Sequence, residues 1–263
     1  MSNIVKFELR KLFRSPVLWF CVLALIMGNL MNVAVYKMLE IMPIDMTVTD
    51  DMGLGLESIL TLKTNGTNML MNSIMNSSLI SVLSIFSALF ICEDFSNNTA
   101  KNILARGYTR KEMVWSKLVS TTIASISFIL FSLITGFFFG WLIGGSIGEW
   151  SNSLLLYMVG QIVAVIAFNA IYMSVSLMLR KAAPTIAITL LSSSFIPLIL
   201  KGLSSVFEIK GFDLEMASLS NAVMATMSTT YNGDTLQTVL ICSAVYLLIG
   251  VASCFFVFRK KDI

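Results

Sequence analysis

Covalent chemistry needs a base, an activated nucleophile or a bound metal, and this sequence is poor in all three. It has 263 residues and no histidine, which removes imidazole acid–base catalysis, Ser-His-Asp triads and most transition-metal sites. Its four cysteines, Cys21, Cys92, Cys242 and Cys254, form no CxxC pair and lie in or beside apolar runs. They read as small buried hydrophobes rather than disulfides or zinc ligands. No glycine-rich loop ends in Gly-Lys-Ser/Thr, so no phosphate cradle is expected. No ionisable group falls at the centre of an apolar run, where a proton relay or an intramembrane carboxylate pair would need one. The expectation is a chain with no catalytic residue, no metal site and no cofactor of its own.

The residues that remain able to act do so as charges. They concentrate in Glu93–Lys117, EDFSNNTAKNILARGYTRKEMVWSK, a polar stretch between two long apolar runs. Residues 97–104 are predicted to form a short helix. Gly107 permits a turn. Thr109 is placed to cap a second helix, with Glu112 three residues on as its capping-box partner. The cations Lys101, Arg106, Arg110 and Lys111 then sit on a compact unit that fits a partner's groove; the plainer role for them is to enforce membrane orientation. Glu93 and Asp94 are expected to pair with Arg106 or Arg110, weakly, because exposed pairs contribute only about 0–1 kcal/mol.

The elements that must position this stretch follow from composition. The chain is 56% hydrophobic and 13% charged, against roughly a quarter charged in soluble domains. Six apolar runs are long enough to cross a bilayer at about 1.5 Å per residue: about 17–36, 69–92, 118–145, 154–179, 184–200 and 236–258. The fold class is therefore an all-α membrane protein with six transmembrane helices. It forms a single membrane domain over 1–263, with 93–117 as a loop. Residues 2–15 read as an amphipathic interface helix, Val5, Leu9, Leu12 and Phe13 sharing one face and Lys6, Arg10 and Arg14 another, with its cations toward lipid headgroups. Pro197 is expected to kink or break the fifth span. Residues 201–235 are partly apolar and are expected to dip back into the membrane. A long acidic loop, 37–68, lies between the first two spans. Most of the 18 lysines and arginines fall on the side holding both termini and 93–117, and most of the 15 acidic residues on the other. That places both termini in the cytoplasm.

Within the spans, Asn29 and Asn32 in the first and Asn72 and Asn76 in the second lie at helical spacing, accompanied by methionines. They either line a translocation path or hold helices together by hydrogen bonds. Gln161 and Asn169 read as the latter. Trp19, Trp115, Trp141 and Trp150 fall at the span borders as interface anchors.

With these residues in view, the layout resembles the permease subunit of ABC-2 type ATP-binding-cassette exporters over essentially its whole length. The sharpest local likeness is Glu93, then Thr99-x-Lys101-Asn102-x-Leu104, then Arg106-Gly107-x-Thr109-Arg110, with Lys117 entering the third span. The long acidic loop after the first span departs from the pattern and leaves the cargo open. The resemblance implies that Glu93, Thr99, Lys101, Asn102, Arg106, Gly107, Arg110 and Lys117 couple the membrane part to a separate ATP-binding subunit. ATP and Mg would be held by that subunit. A second permease copy or a sister permease would complete the path, in a bacterial plasma membrane. The cargo implied is an amphipathic peptide, as in bacteriocin or lantibiotic immunity, or another hydrophobic compound; drugs, lipids and ions are alternatives. Besides these, membrane lipids are the expected partners, and nucleic acid is not. The contrasting class is a non-transporting membrane scaffold or signalling partner.

Overall fold

The computed structural model describes residues 2–41, 63–75, 77–150, 152–206, 218–224 and 233–260. Within them the chain is helical and contains no strand. The order is α1 (Ser2–Arg14), α2 (Pro16–Ile41), α3 (Gly66–Met75), α4 (Ser77–Ser96), α5 (Thr99–Ala105), α6 (Arg110–Gly144), α7 (Asn152–Leu179), α8 (Ala182–Val206), α9 (Leu219–Met224) and α10 (Gly233–Lys260). Six segments are long and apolar enough to cross a membrane: α2, α3 with α4, α6, α7, α8 and α10. Helices are the form such sequences must take, because a lipid-facing backbone can satisfy its polar groups only within the segment.

The core is built by aromatic and branched side chains of α4, α6 and α7. Phe86 stacks on Phe90 at 5.3 Å and meets Phe128 of α6 edge-on at 5.2 Å. Hydroxyl and amide groups join the spans. Asn169 of α7 accepts from Ser87 of α4 and donates to Thr121 of α6, both at 3.4 Å. Ser84 of α4 meets Thr189 of α8 at 2.5 Å. Cys92 and Cys254 are buried, as small hydrophobes would be.

α3 lies closely along α6. Gly136, Gly140 and Gly144 recur every four residues on α6 and face it, and a Cβ on Gly140 would sit 2.5 Å from the Met69 Cβ. Small residues at this spacing let two helix backbones approach in a membrane. The N–H groups that begin α3 and have no partner within it find acceptors in the turn after α6: Gly66 N–H donates to Ser146 O at 3.0 Å and Thr67 N–H to Ile147 O at 2.8 Å. A helix start buried without such partners would be costly.

Several expectations are revised. α8 continues through Pro197, so of the kink or break expected there the break is absent; a spanning helix tolerates an interior proline because neighbouring groups re-satisfy the freed carbonyl. On α1 the buried face is Ile4, Glu8 and Leu12, whereas Phe13 is 55% exposed. α1 packs this face against the start of α6. Of the expected outer segments, 42–62, 207–217 and 225–232 lie outside the described residues; between the last two, α9 places Leu219 in the core.

Candidate functional site: a buried ion cluster beneath a short cationic helix

The site forms where α1, the end of α4 and the start of α6 converge. Lys117 sits two turns into α6 and is fully buried. It pairs with Asp94 of α4 and lies 3.4 Å from Glu8 of α1. Lys11, one turn along α1 from Glu8, bridges Asp94 at 2.5 Å and Glu93 at 3.3 Å. Both ammonium groups lie over the Phe90 ring, at 5.1 and 5.6 Å, where a ring face attracts a cation. Glu8, Asp94, Lys11 and Lys117 thus cancel in charge, the condition for burying ions at all.

These contacts correct the sequence expectation. Glu93 and Asp94 meet Lys11 and Lys117 rather than Arg106 or Arg110. Lys117, expected at a docking loop, is instead an interior tie between helices. Glu8 was overlooked because its helix was read by its most apolar stripe. The available signal was the i, i+4, i+8 row Ile4, Glu8, Leu12: one carboxylate inside an apolar row calls for a buried cation.

Above the cluster the connection folds as expected in outline. α4 ends at Ser96, and α5 covers Thr99–Ala105, two residues beyond the predicted start. α5 buries Ala100 and Ile103 and exposes Lys101 and Asn102. Arg106 and Arg110 are exposed on either side of the turn. Gly107 has φ +87°, a conformation that favours glycine, and among the described residues a Cβ there would meet nothing within 4 Å. Thr109 caps α6: its Oγ1 accepts from Glu112 N–H at 3.3 Å, and the Glu112 carboxylate accepts from Thr109 N–H at 2.9 Å. Thr109→Ala is expected to lower stability by about 1 kcal/mol and to loosen the α5–α6 turn, read as faster amide exchange at residues 110–113. On the other flank the Arg180 guanidinium, in the turn between α7 and α8, lies over Phe95 at 5.1 Å.

The structure thus brings together Glu93, Thr99, Lys101, Asn102, Arg106, Gly107, Arg110 and Lys117 at one end of the bundle, with Lys117 beneath the others. It does not bring the four asparagines together in the same way. Asn29 is 2% exposed and donates to Ser132 Oγ at 3.1 Å and Thr135 Oγ1 at 2.7 Å, tying α2 to α6. Asn72 is buried in α3 and Asn32 half-buried. Asn76 lies outside the described residues. For Asn29 the geometry is that of a bond between helices, not of a path.

No curated protein matches this sequence. Residues 58–263 match the family model described as a protein of unknown function, DUF2705. That match takes in the whole of α3 to α10, including Asp94 and Lys117 of the ion cluster and all of the cationic connection, while α1 and α2 precede it. The chain belongs to the DUF2705 family.

Proposed function

We propose that this multi-pass membrane protein is the permease subunit of an ATP-driven exporter of the ABC-2 kind. A separate ATPase would bind at α5, and ATP and Mg would be held there. The observation that carries the reading is the mounting of α5. A short helix with exposed Lys101, Asn102 and Arg106 stands between two spans, and both spans are fixed beneath it by the Glu8–Lys117–Asp94–Lys11 cluster. Force applied to α5 would reach α1, α4 and α6 together rather than being lost in a slack loop. Closure of the ATPase pair would then favour one arrangement of the spans over another through contacts that differ between the two. Both termini and α5 lie on the cytoplasmic side in this reading, and a second permease completes the path. The cargo class is an amphipathic peptide or another hydrophobic compound.

The test is the mass of the intact assembly after gentle extraction from its native membrane. A soluble ATP-binding subunit at a two-to-two ratio is expected, and the double charge reversal K101E/R106E should remove it while leaving the permease helical and membrane-inserted. A permease that purifies alone and is indifferent to ATP favours the scaffold reading. So does an assembly that survives K101E/R106E unchanged.

A further inference from the structure

A Cβ on Gly28 of α2 would sit 2.8 Å from the Ser78 Cβ of α4, so the two helices are in close contact there. Toward the end of the bundle that carries α1 they part, and a cleft of about 410 Å³ opens between them. Pro16, Phe20 and Ala24 stand on one wall and Val82, Ile85 and Leu89 on the other. Ala24 and Val82 are each one turn from the Gly28–Ser78 contact and close the inner end. Pro16 and Leu89 stand at the mouth. Phe20, 76% exposed, forms a lip. From Pro16 to Ala24 the wall runs about 12 Å, which stays within one leaflet of a hydrocarbon layer about 30 Å thick.

The walls are apolar, but the mouth is charged. Ser15 Oγ accepts from Val17 N–H at 3.3 Å and fixes the corner between α1 and α2. Arg14 lies two residues before Pro16, at most about 7 Å of chain, and Arg10 one turn earlier. Both are exposed, and neither holds an ion pair or hydrogen bond among the described residues. On the opposite wall Glu93 is one turn beyond Leu89, and it is matched by Lys11 at 3.3 Å. The two arginines are therefore in excess at the mouth.

Shape and charge together select the occupant. A helix about 10 Å across would displace roughly 900 Å³ over this length, more than twice the cleft, so a further span does not fit inside it. One extended hydrocarbon chain does. A soluble anion would leave the apolar walls unused, and a neutral lipid would leave the arginines unused. We infer that the cleft seats one acyl chain of an anionic phospholipid, whose phosphate lies against Arg14 and Arg10. Attraction of α1 to headgroups in general involves many exchanging lipids; the cleft adds a slot of fixed depth for one. The inference rests on the membrane-spanning character of α2 and α4 and not on the exporter reading.

The experiment is native mass spectrometry of the purified chain in neutral detergent, titrated with phosphatidylglycerol and with phosphatidylcholine of the same acyl chains. One phosphatidylglycerol is expected to bind about tenfold more tightly than phosphatidylcholine, and R10Q/R14Q should bring the two within about twofold. Ala24→Phe, which fills the inner end and leaves every charge, should weaken phosphatidylglycerol binding about tenfold or more. Leu23→Phe adds the same ring at a neighbouring exposed position and should change nothing. Glycerol 3-phosphate and inorganic phosphate should not displace the bound lipid. Equal binding of the two lipids overturns the inference. So does unchanged phosphatidylglycerol binding in Ala24→Phe, an equal loss in Leu23→Phe, or displacement by free phosphate. A dimer of the chain that Ala24→Phe dissolves while lipid binding persists overturns it too. Should R10Q/R14Q fail to fold, judged by size-exclusion profile, R14Q supplies the same comparison with an expected loss of about threefold.

Discussion

Lys117→Met should destabilise the protein by about 3–5 kcal/mol, the range for breaking a buried ion pair from one side. Methionine approximates the lysine volume, so the loss comes from charge and not from a cavity. Two carboxylates remain behind. Asp94 keeps Lys11 at 2.5 Å, but Lys117 is the only ion-pair partner Glu8 has among the described residues. Its other carboxylate oxygen is buried with no hydrogen-bond partner there. Glu8 therefore bears most of the damage. The second substitution follows: Glu8→Met in the Lys117→Met background should recover more than half of the loss, because replacing a buried pair with apolar groups is often close to neutral. Glu8→Met alone should cost less than Lys117→Met, since Lys117 retains Asp94. Unfolding in mixed micelles, followed by tryptophan fluorescence, measures all three variants. Wild-type stability in Lys117→Met would show that the cluster is not a tie between helices.

Gly144→Ala is the second large effect. A Cβ there would overlap the backbone carbonyl of Thr64, which cannot rotate away as a side chain could. The α3–α6 seam must open by the width of a methyl group. A loss of about 1–3 kcal/mol is expected, as for overpacking elsewhere, together with loss of the bonds that start α3. Gly202→Ala gives the contrast. It also lies within a helix, but among the described residues a Cβ there meets nothing within 4 Å, so it should be neutral or stabilising by up to about 1 kcal/mol. If both alanines behave alike, close approach is not what the α6 glycines provide. Thermal unfolding with a size-exclusion readout separates the two.

The six spans were legible because lipid imposes a single demand, an apolar run of sufficient length, that a linear sequence can display. The helix ends around Gly107 and Thr109 were legible because their signals are local, a residue at positive φ and a cap with its partner three positions on. The ion cluster was not. Glu8 and Lys117 are 109 residues apart, and nothing within a few positions of either marks the other. Pairing Glu93 and Asp94 with Arg106 and Arg110 was the nearest-neighbour solution. The fold preferred a lysine from α1 and another from α6, because these converge beneath the connection while Arg106 projects from it. Phe13 is the one member of the expected apolar stripe that the packed face of α1 leaves exposed, because the buried row runs through Glu8, whose carboxylate carries no apolar signal.

The distance along the chain between Glu8 and Lys117 also sets an order of events during synthesis. At about 5–20 residues per second the ribosome needs roughly 5–20 s to make the residues between them. For the part of that interval after α1 has emerged from the ribosome its ionic partner does not yet exist, so Glu8 must stay hydrated and α1 must rest at the water boundary. Only when the third span is delivered can α1 be drawn into its seat and Asp94 be neutralised from both sides. α1 is thus made well before its ionic partner and is fixed only after it. A nascent chain halted before residue 117 should leave it open to protease attack, and one halted after the third span has entered the bilayer should not.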